Sequence, residues 1–400
     1  RQAQPGSDSF ANNFINFLRF YYLRKLSNNS RFEMNINSNY ENTHGILNNT
    51  LDELESSDFS QIHHGNAVYP KFNGDFNLFY RNITYIVGGD FSNENYTFSS
   101  ISNSLSSATN DIRYVGSGYG FLTIPIMEKL NLKLGIRGAG FMDNFSNTKN
   151  NSDTVSVSEE DMTYHLTTAT STYIRRAENY RFPKIDEEIN YTATGQQVLN
   201  PLKTQTGVSY ETGVKYVSSR TLLNLTLYQL TLNNEIEYIP TVQSSSLYNT
   251  QNLPQTVRHG IIGGVDLILT KKVTLSTQFT YTNPKIVNSG DDIPSVPELT
   301  ARLGIAYHFN DNWSTHLEAL YTGSSYAAGD ISNISAKQPG YSIINLNIQW
   351  QIKKLILSAK INNLFNKKYN AYALFNPTTG ASYYPASGIN MYLTANYLVN

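Results

Sequence analysis

The stretch Tyr341–Gln351, YSIINLNIQWQ, decides the fold. Ile344, Leu346, Ile348 and Trp350 alternate with Asn345, Asn347, Gln349 and Gln351. Side chains of an extended segment point to opposite faces in turn, so this segment has one apolar and one neutral-polar face. The same period of two recurs on both sides. Val273, Leu275, Phe279 and Tyr281 oppose Thr274, Ser276, Gln278, Thr280 and Thr282; Leu303, Ile305, Tyr307 and Phe309 oppose Thr300, Arg302 and His308. Leu130, Leu132, Leu134 and Ile136 oppose Asn131, Lys133 and Arg137. In the last segment Ile389, Met391, Leu393, Ala395, Tyr397 and Val399 oppose Asn390, Tyr392, Thr394, Asn396 and Asn400.

The connections alternate in length. Short turns are predicted at 27–29, 81–82, 127–129, 167–169, 218–220, 271, 310–311 and 353. Long polar loops are predicted at about 43–71, 98–110, 144–152, 182–205, 233–255, 284–298, 325–339 and 366–387. Short turns at one end and long loops at the other are the pattern of a transmembrane β-barrel. About seventeen antiparallel strands are expected, from a first near 10–26 to a last near 388–399. The apolar residues would then meet lipid and the polar ones line a lumen. A soluble sandwich or propeller would need domain boundaries or a blade repeat, and the 400 residues show neither.

Composition agrees. Charged residues make up 15% of the chain, against roughly 25% in soluble proteins. Tyr (29) and Phe (19) are abundant beside 2 Trp. The net charge of −1 removes any global electrostatic case for nucleic acid. With no Cys, disulfide, thiol and iron–sulfur chemistry are excluded. No apolar run approaches the roughly 18 residues that a membrane helix needs.

Several segments, in order, resemble the TonB-dependent outer-membrane receptors. Tyr173–Pro183 with Asp186 and Glu187 (YIRRAENYRFPKIDE) is similar to that family's strand ending in an Arg-aromatic-Pro element. Leu199–Lys203 (LNPLK), then Tyr210–Tyr216 (YETGVKY), resembles its "NPxLKPE…YExGxKY" element, and Leu227–Ile236 the strand after it. Ile293–Pro297 with Thr300–Tyr307, Asn362–Tyr369 (NNLFNKKY) and Tyr384–Gly388 (YPASG) resemble later elements. The resemblance implies an all-β, antiparallel transmembrane barrel filling residues 1–400 as a single domain. On that resemblance the barrel would be N-terminally truncated, with about 17 of 22 strands and no plug domain. Its first and last strands should therefore not pair with each other. The terminal Asn400 departs from the aromatic residue usual at the family's end.

The resemblance also implies a function: uptake of a scarce nutrient, most simply a ferric siderophore, across the bacterial outer membrane. The TonB–ExbB–ExbD complex would energise it through the plug, with outer-membrane lipid around the wall and no cofactor. Haem-specific members carry a ligand His where this chain, between Phe182 and Asn200, has none. The alternative is a passive porin-like pore of 16 or 18 strands. No nucleophile, acid/base pair or P-loop suggests an enzyme.

Candidate ligand residues lie where the loops should form a rim. Tyr191, Tyr238, Tyr248, Tyr326, Tyr372, Phe375, Tyr383 and Tyr384 would stack on a chelate, and Arg175, Arg176 and Arg181 would meet its negative charge. His63 and His64, near Asp52, Glu53 and Glu55, are expected in a solvated loop rather than a metal site. Gly116–Gly120 (GSGYG) is expected to open a strand.

Overall fold

A computed structural model describes residues 10–48, 56–102, 105–146, 149–191, 197–200, 202–239, 250–377 and 380–398. The chain first winds through consecutive antiparallel strands: β1 (Phe10–Lys25), β2 (Ser30–Asn48), β3 (Ser56–Leu78), β4 (Arg81–Ser102), β5 (Leu105–Met127), β6 (Leu130–Asn144), β7 (Asn151–His165) and β8 (Thr170–Arg181). A one-turn helix α1 (Ile185–Glu188) and a small hairpin, β9 (Ile189–Tyr191) with β10 (Gln197–Leu199), follow. β11 (Gln205–Val217) returns to β8, and β12 (Thr221–Asn233) continues the wall. Next comes the hairpin β13 (Ile236–Tyr238) with β14 (Thr250–Asn252).

The wall resumes with β15 (Thr256–Ile268), β16 (Val273–Ile286), β17 (Leu299–His308), β18 (Trp313–Thr322), β19 (Tyr341–Ile352) and β20 (Leu355–Asn362). The hairpin β21 (Asn370–Asn376) with β22 (Gly380–Pro385) precedes the last wall strand, β23 (Asn390–Tyr397). The wall is one 17-stranded antiparallel sheet, as the alternation predicts.

Residues paired across a ladder share a face, so one register fixes every side chain. Ile348 pairs with Thr315 and Ala359, and Leu346 with Leu317 and Ile361. This face continues through Ile305, Leu275, Ile261, Leu227, Ile174, Met162 and Leu132. It is the apolar outer face. The inner face carries Asn345, whose amide donates to Glu318 Oε2 at 3.1 Å, while Arg302 pairs with the same carboxylate. Beside the short turns, Trp313 and Trp350 stack with ring centres 5.4 Å apart, an aromatic girdle at that rim.

The two rims differ as expected, with three corrections. The stretches 43–71 and 98–110 are mostly strand: β3 runs 23 residues and β4 22. About 9–11 residues suffice to span a bilayer, so β2–β5 project well beyond it. There the outer face leaves the apolar layer and part of the inner face is covered by the folded-in rim, the sequence loses its alternation, and the ladder alone reveals the strand. The turn expected at Arg81–Asn82 lies at Phe79 and Tyr80, both with positive φ (48° and 63°), as a two-residue hairpin turn requires. Gly116–Gly120 lies inside β5 instead of opening it.

The wall is open. β1 pairs only with β2 and β23 only with β20; among the described residues no ladder joins β1 to β23. β1 is also apolar on both faces, with Phe14, Leu18 and Phe20 exposed on one and Ile15, Phe17 and Leu23 on the other.

Candidate functional site

At the long-loop rim the chain folds inward over its own wall. Ile185 and Ile189, flanking α1, pack on Tyr96 of β4 and Phe145, with Phe98 and Leu199 at the margin. Beneath them lies a buried ionic knot. Arg113 of β5 donates its Nε to Asp143 Oδ1 at 2.6 Å and reaches Glu188 of α1 at 3.0 Å; it also binds the Pro183 carbonyl and stacks on Phe141. Asn151 donates to the other Glu188 oxygen. Burial, then the adjacent Asp143, pushes the Glu188 carboxyl up to about 8. One guanidinium thus serves two buried carboxyls, and burial beside Asp143 favours the protonated form of Glu188.

Motif residues hold this segment in place. The Asn200 amide donates to the carbonyls of Glu187 (3.0 Å) and Thr250 (2.8 Å), tying α1 to β14. In the NNLF stretch, Asn363 takes φ 49°, and its side chain bonds Lys367 at both carbonyl (2.9 Å) and amide (2.8 Å). Asn tolerates this left-handed backbone and closes such turns on itself, so the motif ends β20 and aims the final loop.

His63 lies within β3 and not in a loop. Its Nδ1 meets Glu94 Oε1 at 2.8 Å and its ring lies 4.8 Å from Tyr96. This hydrogen bond to Glu94 raises the imidazole above its usual range. Asp52, Glu53 and Glu55 lie outside the described residues. Among the described residues no group of His and carboxylates is arranged to hold a metal.

The expected ligand residues separate into distinct places. Arg175 faces inward, between Glu159 (3.3 Å) and Glu211 (3.7 Å). Arg176, one residue on, points outward beside Glu160 (3.1 Å), Glu178 and Tyr210, on the face of Ile174 and Met162. Strand alternation makes it impossible for both to face the lumen, which corrects the expectation of a single Arg cluster. Arg181 pairs with Glu187 of α1. Tyr191 belongs to β9, and Tyr248 lies outside the described residues.

Tyr326 is covered by the Lys337 ammonium, 5.1 Å from its ring centre. Lys337 in turn bonds Asp292 (2.9 Å) and Glu298 (3.1 Å), and Asp292 also meets Lys285 at 2.5 Å. Burial works to raise the Asp292 carboxyl, but the two lysines outweigh it and hold it low. Phe375 is buried with Ala327 and Ala373, and Tyr383 packs against them. These residues anchor the β21–β22 hairpin.

Its opposite face is open. Tyr372 and Tyr384 pair across the hairpin with rings 5.7 Å apart, and they and Tyr238 are each a little over two-fifths exposed. Burial raises the Tyr372 hydroxyl, as do the neighbouring Glu237, Tyr238 and Tyr384. The sequence reasoning missed Glu237, an acid two residues from Glu235 in a polar loop with no periodicity to mark it. Burial, then Glu235, pushes its carboxyl up to about 7, while Arg258 and Arg181 pull the other way.

Comparison with known proteins gives the lineage. A family model described as "TonB dependent receptor-like, beta-barrel" matches residues 2–364. The ferrienterobactin receptor of Escherichia coli K12 is 23% identical over 181 residues, 42% of this chain and 24% of its own. The ferric-catecholate import receptor Fiu of E. coli K12 superposes with TM-score 0.75 at 17% identity, covering 98% of this chain and 65% of its own. The siderophore receptor PiuA of Acinetobacter baumannii gives TM-score 0.76 at 16% identity, covering 97% and 64%. The chain thus spans about a quarter of its curated relative's length and just under two thirds of these solved ones. Seventeen antiparallel strands, an inward-folded rim and a match over most of the chain make this a member of the TonB-dependent receptor β-barrel family.

Proposed function

We propose that the chain forms the wall of an outer-membrane receptor that takes up a ferric siderophore, driven by the TonB–ExbB–ExbD complex. The observation that carries this reading is the rim: an inward-folded, buried segment beside three exposed tyrosines at the mouth of a polar-lined wall. A passive pore needs an open mouth. In this one α1 folds onto the inner wall.

Residues 1–400 supply wall and loops, and the plug on which TonB acts comes from another part of the receptor. The free edges of β1 and β23 require partners, because unpaired backbone in hydrocarbon costs several kcal/mol per group. Further strands of the same receptor close the wall there. Tyr238, Tyr372 and Tyr384 form the stacking surface, with Arg181 behind them. Arg175 sets lumen charge, and Phe375, Tyr383 and Tyr326 hold the loops that present the surface.

The test is uptake of radioactive iron from a panel of ferric siderophores by iron-starved cells whose only such receptor is the full-length form of this protein. Uptake of at least one chelate that disappears when TonB is deleted is expected. Entry that persists without TonB would favour the pore. In the same cells, Arg181→Ala with Tyr238→Ala should weaken uptake at unchanged surface expression.

A further inference from the structure

The chain carries a net charge of −1, yet its acids stop at Asp330. Beyond it come Lys337, Lys353, Lys354, Lys360, Lys367 and Lys368, with no Asp or Glu between or after them. Lys337 is held by Asp292 and Glu298. Lys353 and Lys354 form the short turn before β20, and Lys360 lies on the inner face opposite Asn347. Lys367 and Lys368 stand at the other rim, in the NNLFNKKY stretch. Among the described residues neither ammonium has an ion-pair or hydrogen-bond partner. Both line a cavity of about 370 Å³, whose walls include Pro339, Tyr341, Tyr369 and Pro385 but no acidic residue. The Tyr341 and Tyr369 rings stack 4.1 Å apart there. The Asn363 side chain bonds the Lys367 amide and carbonyl, which fixes the backbone that presents the lysines.

This turn is tied to the wall at a definite height. The Leu364 amide donates to the Ile344 carbonyl of β19 at 2.7 Å. Counted from the short turn at Lys353, Ile344 lies near the end of the roughly 9–11 residues that a strand uses to cross a bilayer. Phe365, next along, is 73% exposed; Ile389, whose amide donates to Asn366 at 3.1 Å, is about half exposed. Open apolar side chains at the edge of the hydrocarbon, followed by two uncompensated ammoniums, are the complement of a phosphate-bearing amphiphile. We infer that a phosphorylated glycolipid headgroup of the outer leaflet binds here, its phosphate between Lys367 and Lys368 and its acyl chains against Phe365. Aromatic rings favour that interfacial level, and lysines clustered there attract anionic headgroups. The site serves the contact of the wall with its membrane, whichever chelate the mouth accepts.

The experiment uses the full-length receptor purified in detergent and three probes. They are a bisphosphorylated diglucosamine lipid (lipid A), the same lipid with both phosphates removed, and soluble glucosamine 1-phosphate. The phosphorylated lipid should bind about tenfold tighter than its dephosphorylated twin. Lys367→Gln with Lys368→Gln should bring the two within about twofold, whereas Lys353→Gln with Lys354→Gln should leave the difference intact. Phe365→Ser should weaken both lipids and keep their ratio. Equal affinities in the natural protein overturn the inference, as does a preference that survives substitution of Lys367 and Lys368. Glucosamine 1-phosphate binding as tightly as the phosphorylated lipid overturns it in favour of a soluble anion.

Discussion

Arg113 of β5 and Glu188 of α1, 75 residues apart in the chain, meet at 3.0 Å in a buried site that also holds Asp143. Removing one partner from a buried ionic group leaves charge without compensation, typically at about 3–5 kcal/mol. Arg113→Ala should therefore release the segment from Pro183 to Leu199 while the wall stays assembled. Protease cleavage within 183–199, with unchanged heat-modifiable mobility of the barrel on gels, is the expected pair of results.

The same knot sets a pH dependence. The Glu188 carboxyl stands at about 8 when docked, against 4.5 for a free one. Between those values the docked form holds a proton that the released form has lost, so docking weakens as pH rises. The weakening is complete once pH passes about 8. Amide hydrogen exchange across 185–191, corrected for intrinsic rates, should quicken between pH 6.5 and pH 9. Glu188→Gln, which cannot ionise, should remove the change.

On β11, Gly213 lies under the Tyr173 ring, and the Tyr173 hydroxyl bonds Thr226 Oγ1 across it at 2.8 Å. A Cβ there would stand 2.8 Å from the ring. Gly213→Val should cost about 1–3 kcal/mol by overpacking. Tyr173→Phe should cost only about 1 kcal/mol for the lost hydrogen bond. Urea-unfolding midpoints in detergent should rank natural protein, Tyr173→Phe, then Gly213→Val.

How much of this could be read from the sequence follows from which forces act locally. Ile344 to Trp350 alternate because lipid and lumen impose opposite chemistry on the two faces, so the wall strands and their number were legible. Asn42, Gln61 and His63 lie on strand extensions where no apolar face alternates with a polar one, and the extensions of β2–β5 therefore read as loops. The Arg175–Arg176 pair was misjudged as one cluster because the reading stopped at residue type, although strand alternation already separates them. Glu237 could not be found at all: its burial on β13 leaves no mark in a stretch without periodicity. Asn200 and Asn363 were noticed as motif letters, but only their bonds to Thr250 and Lys367 show what they do.

The register gives a sharp contrast on β19. Ile348 lies on the apolar outer face and Asn347 on the inner one. Ile348→Arg places charge in the hydrocarbon layer, at about 2–4 kcal/mol near the midplane. Asn347→Arg points the same side chain into a wet, polar interior beside His316. Assembled protein recovered from outer membranes should fall sharply for the first and stay near normal for the second. The reverse ranking would mean that every strand had been placed one residue out of register.

The β21–β22 hairpin allows anchor and ligand surface to be separated on a single element. Phe375 lies on its inner face, buried with Ala327 and Ala373, whereas Tyr384 lies on the outer face with Tyr372. Phe375→Ala removes a packed ring and leaves a cavity, a change that typically costs about 3–5 kcal/mol. The hairpin also hangs on backbone bonds between Ala328 and both Ala373 and Phe375, at 2.9 and 2.8 Å, so losing the ring should loosen its dock on the 325–339 loop. Tyr384→Ala removes no packed contact of that cluster and should leave the hairpin in place. Hydrogen exchange at Ala328 and Phe375 should therefore rise in Phe375→Ala and stay unchanged in Tyr384→Ala. Ligand affinity should fall in both, through disorder of the surface in the first and loss of a stacking face in the second. Unaltered affinity in Tyr384→Ala, with exchange also unaltered, would remove this hairpin face from the ligand surface.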